Sequence, residues 1–422
     1  MDKGIISLVI FILAYVFFVV LPHKRSVVAV CAAILLVLTN TVSVVGAFFA
    51  VNWNVMGIFV GTLFITDIFI ESRVPAYLAE FIVDRAKNTK WAILLICALT
   101  GIISAFVENV ATVLIVAPIA LVLAKKIKIS PVNMMIAIAI SSNLQGVATL
   151  IGDPPSMLLA GFTKMNFMDF FFYRGRPSIF FAVELGAVAS FLVLFFIFSK
   201  ERHKVKLVPV EKVKSWVPTV ILILLIVSLA VSSFLDTGFS YMAGIICMLF
   251  GFISVIWDKL INRRGIFNAI RSIDWDTTLF LLGIFILVHS LVLTGWINAI
   301  AKASSHIIGG NVFVGYTALV FIAVILSAFV DNVPFLAAML PVAISMAHNL
   351  GVNPSLLLFG LLIGASLGGN ITPIGASANI VACGLLKKEG YQIRFKDFMR
   401  IGIPFTLAAV IIAYLFVWFV WK

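Results

Sequence analysis

The chain has 422 residues, 63% of them hydrophobic and only 11% charged, whereas an ordinary soluble domain is roughly 45–50% apolar and about 25% charged. That balance excludes a soluble enzyme, a nucleic-acid-binding module and a disordered tail. The formal net charge of +12, from 30 Lys and Arg against 18 Asp and Glu, then reads as the cation-rich cytoplasmic loops of a membrane protein.

A helix crosses a bilayer with about 20 apolar residues, so this length allows about ten crossings. Apolar blocks fall at 5–21, 27–50, 54–71, 91–124, 132–162, 178–198, 216–235, 240–257, 277–293, 311–347, 354–386 and 401–421. The first is followed by His23-Lys24-Arg25 and by no small-residue cleavage site, which predicts a retained helix rather than a signal peptide. Cys31, Cys97, Cys247 and Cys383 lie singly in apolar segments without a C-x-x-C spacing, as small core residues do. Residues 74–90, 164–176 and 386–400 look amphipathic and are expected to lie along the membrane interface. Residues 200–215 form the one long charged linker, expected on the cytoplasmic side.

Four blocks are interrupted. Glu108-Asn109 breaks 91–124, and Asp331-Asn332 breaks 311–347. Gln145-Gly146 and Gly152-Asp153-Pro154-Pro155 break 132–162, as Gly368-Gly369-Asn370 and Thr372-Pro373-Ile374-Gly375 break 354–386. Lipid does not tolerate unpaired backbone, so such stretches should face protein or a water-filled cavity.

The breaks repeat. Ser104-Ala105-Phe106-Val107-Glu108-Asn109-Val110 answers Ser327-Ala328-Phe329-Val330-Asp331-Asn332-Val333 at an offset of 223. The same offset pairs Pro118 with Pro341, Pro131 with Pro354, Thr149 with Thr372 and Gly152 with Gly375, and Trp53 answers Trp275 one position off this register. The predicted organisation has N-terminal helices outside the repeat (1–50), a first repeat (51–199), a linker with two connecting helices (200–272) and a second repeat (273–422). Each repeat holds a re-entrant hairpin (91–124 and 311–347) and a broken helix (132–162 and 354–386). With the hairpins re-entrant, most Lys and Arg share one side; Lys3, Lys164, Arg174, Arg176, Lys302 and Lys422 lie on the other. The positive-inside rule makes the first side cytoplasmic and both termini non-cytoplasmic. The loop at 125–130 then falls inside and its counterpart 348–353 outside, so the repeats are inverted. The fold class expected is an all-α polytopic membrane protein: two inverted repeats, about ten transmembrane helices, two re-entrant hairpins and two broken helices.

Inverted repeats with paired broken helices mark a secondary transporter whose site lies near the midplane, and an intramembrane carboxylate is by default functional. Glu108 and Asp331 are such a pair, although either would also serve as a plain helix cap. Na+ is a candidate ligand of Glu108, Asn109, Asp331 and Asn332. Thr112, Asn143, Thr149, Gly152, Asp153, Asn370, Thr372, Gly375, Ser377 and Asn379 complete the candidate site, where unwound backbone offers carbonyls to a cation and N–H groups to an anion. Asp153 falls opposite Ala376, so the repeats differ in charge. His289 is expected to be a hydrogen-bonded core histidine, with proton relay as the alternative. Asp67, Glu71 and Glu184 sit near helix ends, within reach of water.

The stretches 106–118 with 148–156, and 328–341 with 367–379, resemble the ArsB/NhaD branch of the ion transporter superfamily, which includes arsenite permeases and NhaD Na+/H+ antiporters. They are most similar to its P-protein-like and citrate-transporter-like members. The resemblance implies an ion-coupled secondary transporter of a small inorganic or organic anion or oxyanion, arsenite included, working by alternating access. A Na+/H+ antiporter of the NhaD type is the alternative, and a passive anion channel a third reading. The related sodium/dicarboxylate branch carries Ser-Asn-Thr at its hairpin tips; here Glu108 or Asp331 stands first and Val110 or Val333 third. That difference points to a proton or a carboxylate-bound cation. The chain has neither H-E-x-x-H nor the G-x-G-D of membrane aspartyl proteases, so no enzymatic activity is expected. No cofactor is expected beyond a coupling ion, Na+ or H+. The expected setting is the plasma or inner membrane. Expected partners are the anion and the bilayer, with a homodimer and, lacking a P-loop, a separate ATPase subunit as further options; nucleic acid is excluded.

Overall fold

Helix starts in this chain follow its short polar side chains. Asn52, Asn88, Asp274 and Asn311 each accept a hydrogen bond from a backbone N–H two or three residues on, filling part of the requirement that a helix start leaves open. The computed structural model describes residues 2–127, 129–201, 203, 211–236 and 238–422, with Pro22 described by its backbone alone. Much of the sequence-predicted linker 200–215, namely 202 and 204–210, therefore lies outside the described residues.

The first ten α-helices are α1 (Lys3–Val20), α2 (Arg25–Leu38), α3 (Val44–Ala50), α4 (Trp53–Glu71), α5 (Val74–Asp84), α6 (Thr89–Ser104), α7 (Asn109–Ile127), α8 (Val132–Gly146), α9 (Pro154–Thr163) and α10 (Ile179–Ile197). The next ten are α11 (Val217–Leu235), α12 (Met242–Ile261), α13 (Ile266–Ser272), α14 (Trp275–Leu293), α15 (Trp296–Ile308), α16 (Val312–Ser327), α17 (Asn332–Leu350), α18 (Pro354–Gly368), α19 (Ser377–Lys388) and α20 (Phe395–Trp421). A two-residue antiparallel ribbon, Phe172–Tyr173 with Arg176–Pro177, forms in the segment read as an amphipathic arm. The arm at 386–400 is divided between the end of α19 and the first turns of α20.

Among the described residues ten helices are long and apolar enough to cross a bilayer, so the chain is a multi-pass integral membrane protein. They are not the ten that the apolar blocks suggest. The block 27–50 divides into α2, of 14 residues, and α3, of 7. The hairpin arms α7 and α17, of 19 residues each, do qualify. Outward-facing Ile, Leu, Val and Phe cover the surface, where lipid replaces water as solvent.

The second ten helices echo the first. α4 and α14 have 19 residues each, α6 and α16 have 16, and α8 and α18 have 15. The halves pack crosswise: α4 lies on α12, and α14 on α2. Small residues permit this contact. A Cβ on Gly61 would overlap the Cys247 backbone, and one on Gly283 would meet the Ala29 backbone at 2.6 Å. In the same crosswise manner α7 packs on α19, and α17 on α9.

Candidate functional site

The breaks are held by one set of bonds made twice. Thr149 Oγ1 donates to the Ala105 carbonyl, and Thr372 Oγ1 to that of Ala328. Gly152 lies against the Gly146 and Ala105 carbonyls, and Gly375 against those of Gly369 and Ala328, too close for any Cβ. Each hairpin tip is thus tied through a threonine and a glycine to the break beside it. Thr149, Gly152, Thr372 and Gly375 are buried in this framework. Thr112 spends its hydroxyl on the carbonyls of Val107 and Glu108, at 3.3 and 3.1 Å.

The framework aims four helix starts, those of α7, α9, α17 and α19, at a cavity of about 560 Å³. Glu108 Oε2 accepts from Ala111 N at 3.0 Å in the first turn of α7. Asp153 Oδ1 caps α9 through Ser156 N at 3.0 Å and Ser156 Oγ at 2.8 Å. Asp331 Oδ1 caps α17 through Val333 N at 3.1 Å. The start of α19 follows Ala376 and has no side-chain cap. Three of the four starts therefore carry a carboxylate and the fourth has no side-chain cap.

Buried polar groups connect the two halves behind the cavity. Asn143 Nδ2 donates to Asn370 Oδ1 and to Asn379 Oδ1, each at 2.9 Å. Asn379 Nδ2 donates to the carbonyls of Gly369 and Thr372, both at 2.9 Å. Asn109 Oδ1 accepts from Ser104 Oγ at 2.8 Å. Asp153 Oδ2 and Asn370 Nδ2 are buried with no hydrogen-bond partner among the described residues, an uncommon state for buried polar atoms. Of the sequence-predicted residues, Glu108, Asn109, Asn143, Asp153, Asp331, Asn332 and Ser377 line the cavity. Asn370 and Asn379 stand behind it.

The cavity also contains groups that the sequence analysis did not select: His23 between α1 and α2, Arg25 at the start of α2, and Asp274, Asp276 and Thr277 at the start of α14. Arg25 is paired on three sides. Its Nη1 bonds Asp331 Oδ2, its Nε lies 3.2 Å from Asp276 Oδ2, and its Nη2 donates to Thr277 Oγ1 at 3.0 Å. The repeat itself held the missing signal. The register that pairs Trp53 with Trp275 sets Asn52-Trp53-Asn54 against Asp274-Trp275-Asp276. Both tryptophans make the same bond, Nε1 donating to Phe48 O at 3.0 Å and to Ile270 O at 2.8 Å.

The remaining candidates lie elsewhere. Asp67 and Glu71 hold Arg264 Nη1 at 2.6 and 2.8 Å. Glu184 is half-buried on α10. His289 is half-buried on α14, and among the described residues its side chain makes no hydrogen bond, so it is not the hydrogen-bonded core histidine expected. The four cysteines are free, and the described residues contain no cluster of three or more His, Cys, Asp or Glu that could hold a metal.

The chain is 27% identical over 425 residues to an uncharacterized transporter of Mycobacterium bovis, covering 98% of each protein. It is 25% identical to the P protein of Mus musculus, across 85% of this chain and 52% of that one. Its fold is similar to that of the YdaH transporter of Alcanivorax borkumensis, with a TM-score of 0.61 and 12% identity over 99% of this chain and 98% of the other. A family model described as citrate transporter matches residues 15–364 and 316–422. Family and relatives agree on a transporter, and the chain belongs to the citrate transporter family.

Proposed function

We propose that the protein is an ion-coupled secondary transporter of a small anion or oxyanion. The observation that carries this reading is the unequal capping of the four helix starts. Glu108, with Asn109 and the orphaned Asp153 Oδ2 nearby, offers oxygens to Na+ or a place for a proton. The uncapped start of α19, with the Ser377 hydroxyl in the same cavity, offers donors to an anion. Cation and anion then share one cavity, and each offsets the desolvation of the other. The family's description names citrate, which supports putting carboxylates first among candidate substrates, with oxyanions such as arsenite beside them.

The mechanism proposed is alternating access between two inverted halves. Matched helix lengths, crosswise packing and the twice-made tip-to-break bonds support it, and carry the proposed repeat upstream to α1–α10 against α11–α20. The charged loops support a plasma or inner membrane setting with both termini outside the cytoplasm. Inversion puts Ser130 inside and Asn353 outside. Single-cysteine labelling of sealed cells in a cysteine-free background is expected to reach the two from opposite faces; labelling from one face would end the proposal.

A second reading, a Na+/H+ antiporter, draws on the charge of the cavity: Glu108, Asp153, Asp274, Asp276 and Asp331 against Arg25 and His23. An acid-lined cleft concentrates cations. Uptake into proteoliposomes under imposed Na+ or pH gradients, against a panel of carboxylates, phosphate and arsenite, separates the two. Ion-driven accumulation of one anion is expected. Na+/H+ exchange indifferent to every anion would favour the antiporter.

A further inference from the structure

The two hairpin carboxylates have unequal surroundings, and the repeat shows how the inequality is built. Gly61 on α4 packs against Cys247 on α12, as Gly283 on α14 packs against Ala29 on α2. That register makes Gly244 the counterpart of Ser26, and the bonds agree. Asn54 Oδ1 accepts from Gly244 N at 2.6 Å, where Asp276 Oδ1 accepts from Ser26 Oγ. One residue earlier in the same register, Arg25 stands opposite Ala243. Asp331 therefore meets a guanidinium from the crossing helix. Glu108, at the matching tip, has no ion pair among the described residues, and its carboxylate accepts from the Ala111 backbone N–H.

We propose that Arg25 is a tethered counter-ion that occupies the second hairpin's carboxylate, so that Glu108 alone carries the exchangeable coupling ion. The inference rests on the coupled-transport reading above and deepens it, narrowing the two hairpin carboxylates that the sequence offers to one. The geometry fits a fixed ion rather than a surface pair. The Arg25 side chain is 16% exposed, is engaged through Nε, Nη1 and Nη2 at once, and lies 5.6 Å from the centre of the Phe280 ring. Arginine keeps its charge in such a place and presents its donors in a rigid fork. A mobile cation would have to displace it from Asp331 while leaving an arginine half-paired beside Asp276, which is costly in a partly dry cavity. At Glu108 the arriving ion displaces no cation.

The test uses full-length protein in liposomes on a solid-supported membrane, with Na+ jumps and pH jumps as probes and no substrate present. Wild type is expected to displace charge on one of the two jumps, and Glu108→Gln to abolish that signal. Arg25→Gln frees Asp331 for a second cation, so the displaced charge rises about twofold as one open carboxylate becomes two. Adding Asp331→Asn returns it to the wild-type level, and Arg25→Lys leaves it there. Where Arg25→Gln alone fails to fold, the double variant carries the test, since it removes both charges together; it is expected to retain the wild-type signal, and loss of that signal from folded protein overturns the proposal. Displacement in Arg25→Gln equal to wild type also overturns it and leaves coupled transport standing. No wild-type displacement on either jump overturns the coupling-ion reading and this inference with it.

Discussion

The two hairpin tips share a fold and differ in charge. At both, a threonine bonds the tip carbonyl and a glycine lets the broken helix approach it. At both, a carboxylate caps the outgoing helix. The difference lies in what the crossing half presents: Arg25 to Asp331, and, among the described residues, no counter-charge to Glu108. A second difference follows at the broken helices, where Asp153 caps α9 and Ala376 leaves α19 open. Bonds to backbone repeat because the fold requires them twice, while side chains that face the cavity have diverged. Divergence between equivalent positions therefore separates function from framework in a single sequence.

That separation can be broken most severely at the framework glycines. Gly152→Ala and Gly375→Ala each push a Cβ into backbone carbonyls that cannot rotate away. Each is expected to cost about 3 kcal/mol or more, at or above the upper end for overpacking, and to abolish folded protein by size-exclusion chromatography. Gly384→Ala, with nothing within 4 Å of the added Cβ, should leave the elution profile and melting temperature unchanged. If only one of the two framework substitutions is damaging, the halves are not equivalent.

The charge difference is addressed next. Asp331→Asn is expected to lower gradient-driven uptake at least about tenfold, since losing one hydrogen-bonded partner of a part-buried charge costs roughly 1.5–3 kcal/mol while Asp276 still holds the guanidinium. Arg25→Gln added to it should restore uptake. Failure of Arg25→Gln to restore uptake in folded Asp331→Asn protein would contradict the assignment of unlike roles.

Ala376→Asp makes the halves alike by giving α19 the cap that Asp153 gives α9. A good cap contributes about 0.5–2 kcal/mol, so thermal stability should hold or rise. Anion uptake should be lost, because the new carboxylate takes the donors meant for substrate. A stable variant that still accumulates the anion would place the substrate elsewhere. The smallest effect is expected from Thr149→Val and Thr372→Val, each leaving one buried carbonyl without its hydroxyl partner for about 1–3 kcal/mol. The two should lower the melting temperature by similar amounts.

How much of this was legible in the sequence depends on the kind of residue. Glu108, Asp331 and the Gly, Pro and Asn breaks stood out because apolar surroundings make polar residues conspicuous, and the repeat doubled each signal. Thr149, Thr372, Gly152 and Gly375 were legible as repeat partners, although periodicity could not tell a ligand from a framework bond. Arg25 was not legible: one residue after His23-Lys24 it reads as an ordinary loop cation, and only tertiary packing brings α2 against α14. Asp274 and Asp276 were within reach, since the Trp53–Trp275 match placed them opposite Asn52 and Asn54. The division of 27–50 into α2 and α3 was marked by Thr39-Asn40-Thr41-Val42-Ser43, where Asn40 takes a positive φ and Ser43 caps α3, but the apolar residues on either side masked so short a polar run.

The central claim, that Glu108 holds the coupling ion for a substrate bound in the same cavity, is tested most directly by ion-gradient-driven uptake into proteoliposomes by Glu108→Gln. The amide keeps the shape and a carbonyl oxygen but has no negative charge and takes up no proton near neutral pH. Folded Glu108→Gln protein is predicted to show no accumulation under either a Na+ or a pH gradient, whereas wild type accumulates substrate under one of them. Wild-type ion dependence in that variant would contradict the account and reduce Glu108 to a helix cap.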